Sequence, residues 1–183
     1  MSIRKYLYIG VSWLVCISCF HAKESPSAPD NIACKVIGIT DGDTFDILME
    51  NKPVRIRMDA IDAPETGMPY SKVAKSYLSE LCFGKFVTLQ TGKTDRHDRL
   101  IARAFLEDGR DLSAEMIKAG MAWHYKAYSK DPVLAQLETE ARKNKTGLWA
   151  DKVPVPPWEV RAYRRAGNRV EFRQDTFFVI KNK

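Results

Sequence analysis

Beyond residue 33 the chain presents three β-prone segments, a helical segment, two further β-prone segments and two more helical ones. That order predicts an α+β, mainly β domain in which five strands close into an OB-type barrel accompanied by about three helices. Period-two alternation in the third segment and turn residues between the first three strengthen the reading. The 183 residues suffice for one domain with short extensions, and 45% apolar content supplies a core.

The elements follow in order. Residues 1–22 have the layout of a secretory signal: Arg4 and Lys5 precede an apolar run from Tyr6 to Phe20 that ends in small and polar residues. The run is shorter than the roughly 20 residues a membrane-spanning helix needs. Cleavage after Ala22 leaves bulky Phe20 at the −3 position. Ser18-Cys19 offers a lipoprotein-type alternative, although Cys16 stands where an aliphatic residue is usual. Export to the periplasm or medium is expected, with lipid attachment at Cys19 left open and an uncleaved anchor as the competing reading.

Residues 23–32, with two prolines among polar residues, read as a linker to a domain over 33–150. Cys34 to Ile39 is strand-like, Asp41-Gly42-Asp43 is a turn, and Thr44 to Met49 is a second strand. After a turn at Glu50-Asn51-Lys52-Pro53, Val54, Ile56, Met58 and Ala60 alternate with Arg55, Arg57 and Asp59 as in a half-buried strand. Ala74, Leu78 and Leu81 recur at helical spacing behind Ser71, a candidate N-cap, and Gly84 closes the segment. Lys85–Gln90 and Leu100–Leu106 are the last two barrel strands. A short helix spans Leu112–Ala119 with Gly120 at its end, and another begins at Asp131-Pro132 with the stripe Leu134, Leu137, Ala141. In the basic extension 151–183, Val153 to Trp158 reads as extended. Arg161, Arg164, Arg165, Arg169 and Arg173 lie among Trp158, Tyr163 and Phe172, a mixture that suits single-stranded nucleic acid. A solvated tail or extra strand is the favoured reading of that mixture.

Lys and Arg outnumber Asp and Glu by 29 to 23, which favours an anionic partner such as nucleic acid or a membrane surface. Of the four cysteines, Cys34 and Cys82 lie outside the signal. In an oxidising compartment they are candidates for a disulfide, against two buried free thiols. Zinc-site spacing is absent from the sequence beyond the signal.

Three clusters carry the chemistry: Thr40-Asp41-Gly42-Asp43-Thr44, Arg57 through Thr66, and Thr94-Asp95-Arg96-His97-Asp98-Arg99. Hydrolysis of a phosphodiester gathers negative charge on the non-bridging oxygens, which calls for cations aimed there in advance. Hard divalent metals take oxygen ligands, a carboxylate can accept the proton of the attacking water, and arginine grips phosphate through a planar fork. The clusters supply all of these. Each has a bland reading as a turn, a loop or a solvated charge run, but Arg57 projects from a rigid strand.

In this order and with these residues, roughly Ala33 to Trp149 resembles the staphylococcal (micrococcal) nuclease family of OB-fold nucleases. The resemblance implies that Asp43 and Asp62 bind Ca²⁺ with the backbone carbonyl of Ala63, where the staphylococcal enzyme has Thr. It implies that Glu65 activates or orients water, that Arg57 binds the phosphate, and that Arg99 stabilises the transition state. Asp41 stands beside the metal. Tyr125 and Tyr128 are alternative matches for a phosphate-contacting tyrosine, and Arg96 with His97 replaces a Lys-Tyr pair. The stretch from Glu65 to the first helix is shorter than the flexible loop of the staphylococcal enzyme. The implied activity is endonucleolytic cleavage of DNA and RNA, single strands favoured, leaving 3′-phosphate ends; a monomer with no protein partner is expected. The ligand chemistry alone does not distinguish Ca²⁺ from Mg²⁺. His97 and His124 read as ordinary surface or satisfied histidines. The competing functional readings are a catalytically inactive nucleic-acid-binding module, which should have lost acids or arginines retained here, and a membrane-tethered interaction protein.

Overall fold

The computed structural model describes residues 31–173 and 176–180. The expected signal, with Cys16 and Cys19, and most of the expected linker lie outside them. In chain order the elements are β1 (Asn31–Asp41), β2 (Thr44–Met49), β3 (Lys52–Met58), β4 (Ile61–Asp62), α1 (Ser71–Cys82), β5 (Phe86–Thr94) and β6 (Leu100–Leu106). Then come α2 (Leu112–Lys118), β7 (Trp123–His124), α3 (Pro132–Lys143), a 3-10 turn (Gly147–Ala150), α4 (Pro157–Arg165), β8 (Arg169–Arg173) and β9 (Thr176–Ile180).

Five strands close into a barrel in the order β1-β2-β3-β6-β5. The long first strand makes closure possible. Its first half, Asn31–Lys35, pairs with β5, and its second half, Lys35–Asp41, pairs with β2. Register shifts after Val36 and Ile39 bend it between the two partners. All pairings are antiparallel except β3 with β6, where Ile56, Arg57 and Met58 face Leu100, Ile101 and Ala102. The five-stranded OB-type barrel expected from the element order is therefore the observed fold.

The alternation in β3 reads through to packing. Ile56 and Met58 are buried and Arg55 is exposed, so Arg57 leaves the barrel on its outer face. Val36, Phe45, Ile47, Val87, Leu89, Ala102 and Ala104 fill the interior with Ile56 and Met58. Ala74, Leu78 and Cys82 of α1 and Met116 and Ile117 of α2 join the same core. A second cluster of Trp123, Ala141, Leu148 and Trp149, with Tyr70 and Trp158 against it, joins α3, the 3-10 turn and the start of α4. Gly120 and Gly147, both at positive φ, pack backbone to backbone; a Cβ on either would collide with the other's segment.

Several expectations need correction. The first strand begins at Asn31, inside the expected linker. The third ends at Met58, because Ala60 turns into the left-handed region at φ 66° and Ile61-Asp62 instead pair with Trp123-His124. Ser71 is the first helical residue rather than the cap. Tyr70 occupies the cap position at φ 63°, and the Ser71 hydroxyl donates backwards to the Met68 carbonyl. The fourth barrel strand, β5, runs on to Thr94. The extension is neither a solvated tail nor a single strand: it stays irregular only to Pro156, then forms α4 and a β8–β9 hairpin. Cys34 and Cys82 are buried free thiols, not a disulfide. Both side chains belong to the apolar core, and the Cys82 thiol donates to the Leu78 carbonyl of its own helix. No helix among the described residues is long and apolar enough to cross a membrane.

Candidate active site

The first two motif clusters meet where β2 enters the barrel and β3 leaves it. Asp43 closes the β1–β2 turn. The backbone N–H of Asp43 is held by the Asp41 carboxylate at 3.2 Å, and its own Oδ1 accepts from the Thr44 hydroxyl at 3.1 Å. Gly42 lies so close to α1 and to the segment after β4 that a Cβ there would stand 2.8 Å from the Cβ atoms of both Ala63 and Ala74. The absent side chain lets the turn press against Ala63, whose N–H donates to Asp43 Oδ2 at 2.6 Å. Asp62 is brought in by the two-residue β4–β7 ladder.

Arg57 ties the acids together. Its Nη2 lies 3.1 Å from Asp43 Oδ2 and 3.0 Å from Asp62 Oδ1, while Nη1 donates to the Met58 carbonyl at 2.7 Å. Asp43 and Asp62 are 5% and 2% exposed, so this negative charge is almost entirely withdrawn from water. The consequences are electrostatic. Burial, and then the charge of Asp43, push the Asp41 carboxyl up to about 6. Burial also raises Asp62, with Asp43 adding to the effect, while Arg161 and Arg57 pull it back.

Glu65 stands in the turn before α1, where the Met68 N–H bonds its carbonyl, and its side chain is one-third exposed. Arg161 of α4 donates Nη1 to Glu65 Oε1 at 2.6 Å and Nη2 to Asp62 Oδ2 at 2.7 Å. Neither the motifs nor the resemblance pointed to this arginine. The available signal was the Trp158–Arg161 spacing of three behind Pro157, which puts both on one side of a helix.

The third cluster stands apart. Asp95 to Arg99 form the loop between β5 and β6, and the Arg99 guanidinium closes on Asp95 with Nη2 at 2.7 Å and Nε at 2.9 Å. Burial works to raise the Asp95 carboxyl, but bonds from the Arg99 side chain and from the His97 and Arg99 N–H groups outweigh it and hold it at about 2. Because β6 enters the sheet with Leu100 opposite Ile56, Arg99 immediately precedes the strand that runs alongside Arg57. Arg96 is exposed and donates to His97. Tyr125 and Tyr128 lie just beyond β7. The Tyr125 N–H bonds the Ala60 carbonyl, its ring stacks flat on Trp158 at 5.2 Å, and Tyr128, largely exposed, leans on Tyr125 at 4.8 Å. Buried Glu138 of α3 holds Lys126 of this loop at 2.7 Å. His97 is exposed; His124 is buried with Nε2 on the Ser129 hydroxyl, so neither joins the acids.

A hard dication fits the chemistry of this donor set. Asp43 and Asp62 offer oxygen only, and their inner oxygens converge on one guanidinium nitrogen. Among the described residues no three His, Cys, Asp or Glu side chains form a ready cage, so most of a cation's remaining ligands would be water.

The family model for staphylococcal nuclease homologues matches residues 55–151, from β3 to just past the 3-10 turn. The chain is 41% identical over 124 residues to an uncharacterized endonuclease of Escherichia coli O157:H7, covering 68% of this chain and 81% of that protein. It is 34% identical over 137 residues to the micrococcal nuclease of Shigella flexneri, covering 69% of this chain and 79% of that protein. A staphylococcal-like nuclease of Arabidopsis thaliana is 41% identical over 117 residues, 64% of this chain and 36% of that protein. The barrel, the motif order and these relatives agree: the chain belongs to the staphylococcal nuclease family.

Proposed function

We propose that this protein is an exported, calcium-dependent endonuclease that hydrolyses DNA and RNA, single strands preferentially, and leaves 3′-phosphate ends. The observation that carries the reading is the convergence of Asp43, Asp62 and Arg57 at one end of the barrel, with Glu65 in reach of the same cluster through Arg161. In this reading Asp43, Asp62 and the Ala63 carbonyl hold the cation. Bound there, Ca²⁺ would offset charge on a phosphate oxygen and orient water. Glu65 accepts the proton of that water. Arg57, fixed to the Met58 carbonyl, directs its guanidinium at the non-bridging oxygens. Arg99 leaves Asp95 for the phosphate when substrate arrives and stabilises charge near the leaving oxygen. The water oxygen bonds to phosphorus, the bond from phosphorus to the 5′ oxygen breaks, and that oxygen takes a proton from solvent and departs as a hydroxyl. Tyr125, Tyr128 and Arg96 line the approach of the strand. The protein acts as a monomer, in the periplasm or medium, or tethered through lipid on Cys19.

The test is incubation of the purified protein, freed of residues 1–22, with single-stranded DNA in Ca²⁺, Mg²⁺ or chelator. Cleavage with Ca²⁺, giving fragments whose 5′ hydroxyls accept phosphate from a kinase without prior phosphatase, is expected. Glu65→Gln should slow turnover by about 10²–10⁴-fold with an unchanged circular dichroism spectrum. Absence of cleavage under every metal would overturn the activity, and near-normal turnover of Glu65→Gln would overturn the role of that residue.

A further inference from the structure

The extension beyond the barrel reaches into the acid cluster through one helix. Pro157 and Val160 of α4 are buried. Trp158 stacks on Tyr125 with the rings 3° from parallel and stands edge-on to Trp123 at 6.4 Å. These contacts fix the helix against the segment that carries the tyrosines. Residues three apart share a helix face, so Arg161 is directed to the same side as Trp158.

The Arg161 guanidinium spans two carboxylates. Its Nη2 donates to Asp62 Oδ2 at 2.7 Å, and its Nη1 donates to Glu65 Oε1 at 2.6 Å with a longer bond of 3.4 Å to Asp62 Oδ1. Arg57 already holds Asp62 Oδ1 at 3.0 Å, so both oxygens of Asp62 are bound by guanidinium groups. Asp43, by contrast, is held by Arg57, the Ala63 N–H and the Thr44 hydroxyl, with no part played by α4. A cation that takes Asp62 as a ligand must therefore contend with Arg161 for it. The Arg161 side chain is 32% exposed, against 2% for Asp62. It has solvent to move into, whereas the buried contacts of Pro157 and Val160 keep the helix in place.

We propose that Arg161 is a positioning residue that holds Asp62 and Glu65 together in the metal-free protein and competes with the divalent cation for Asp62. Cation binding moves the guanidinium off Asp62 while α4 stays docked. The affinity of the site for metal is then set in part by the extension, which lies outside the barrel that carries the acids. The inference rests on the reading of Asp62 as a cation ligand.

Ca²⁺ binding measured by calorimetry on the purified protein tests it, with no substrate present. Arg161→Ala and the longer Arg161→Gln should each bind Ca²⁺ at least about tenfold more tightly than the natural protein, equivalent to about 1.4 kcal/mol. Arg164, which only touches Glu65 at 3.5 Å, is the control: Arg164→Ala should stay within about twofold of the natural protein by the same scale. Equal or weaker binding by the Arg161 variants overturns the proposal and leaves the metal site standing. An equal gain in Arg164→Ala reduces the effect to loss of nearby positive charge and also overturns it. If neither the natural protein nor any variant binds Ca²⁺ or Mg²⁺, the metal reading falls and takes this proposal with it. A second readout needs no stable alanine variant. The Nε–Hε NMR signal of Arg161, assigned by its loss in Arg161→Lys, should move on Ca²⁺ addition to the natural protein; a signal unmoved at saturation overturns the proposal.

Discussion

Two arginines from different motifs are fixed in different ways. Arg57 is clamped between buried carboxylates and a backbone carbonyl and has little freedom. Arg99 is held by one partly exposed acid in a loop, a contact it can surrender at modest cost. The Asp95–Arg99 pair makes a pH signature. The Asp95 carboxyl sits at about 2 in the folded protein against an ordinary 3.8. A depressed folded value means stability that is complete above the ordinary value and is lost as pH falls towards the folded one. The stability difference between the natural protein and Arg99→Ala, measured by urea unfolding, should be constant from neutral pH to about 4 and shrink towards pH 2. A difference that stays flat through that window would mean the pair is not formed in solution. The residues of this loop were all legible in the sequence, but their partner was not. The cluster Thr94 to Arg99 reads equally as a charge run or as a site, and only the turn geometry shows that its first acid holds its last base.

Among the elements, the β1–β2 turn does most to shape the site, because Gly42 lets it touch α1 and the segment after β4 at once. Gly42→Ala adds a methyl 2.8 Å from the Cβ atoms of Ala63 and Ala74, with the Ala74 backbone carbon at 3.5 Å, an overpacking expected to cost about 1–3 kcal/mol. Asp41 and Asp43 flank the glycine and Asp62 precedes Ala63, so the strain should displace the acids as well. Nuclease activity should fall further than stability does, and Ala74→Gly should restore part of both. Full activity in Gly42→Ala would show that the turn has more room than the structure gives it. Helices α2 and α3 are secured at their starts: Asp111 and Asp131 cap them, and Arg103 of β6 bridges both caps at 2.7 and 3.1 Å. The Asp131-Pro132 start was legible from residue type alone. The start of α1 was not, since a left-handed Tyr70 takes the position that residue type alone assigns to Ser71.

At the scale of the molecule, a closed barrel with two helices packed into its core is extended by a second aromatic cluster that welds the C-terminal helix to it. The thiols report on the integrity of that core. Burial pushes the Cys82 thiol up to about 12 and raises Cys34 as well, and thiolate is the reactive form. In the folded protein without residues 1–22, both should resist an alkylating reagent at neutral pH, and both should label once denaturant opens the barrel. Mass spectrometry with and without reductant should give the same mass. A two-dalton difference would restore the bridge between Cys34 and Cys82 that the structure lacks.

The sequence alone determined the order of the barrel strands, the outward face of β3 and the inventory of acids and arginines, because period-two alternation, turn residues and side-chain chemistry are local properties. The family followed from the same motifs and was borne out by the barrel and the relatives. Tertiary structure decided what the extension does and what the cysteines do. Arg161 meets Asp62 across 99 residues of chain, and Trp158 finds Tyr125 across the same fold. No periodicity encodes such a meeting. It exists because Pro157 and Val160 bury themselves and carry the next turn of helix onto the acids. A basic stretch that the sequence left as a tail is, in the folded molecule, one wall of the site.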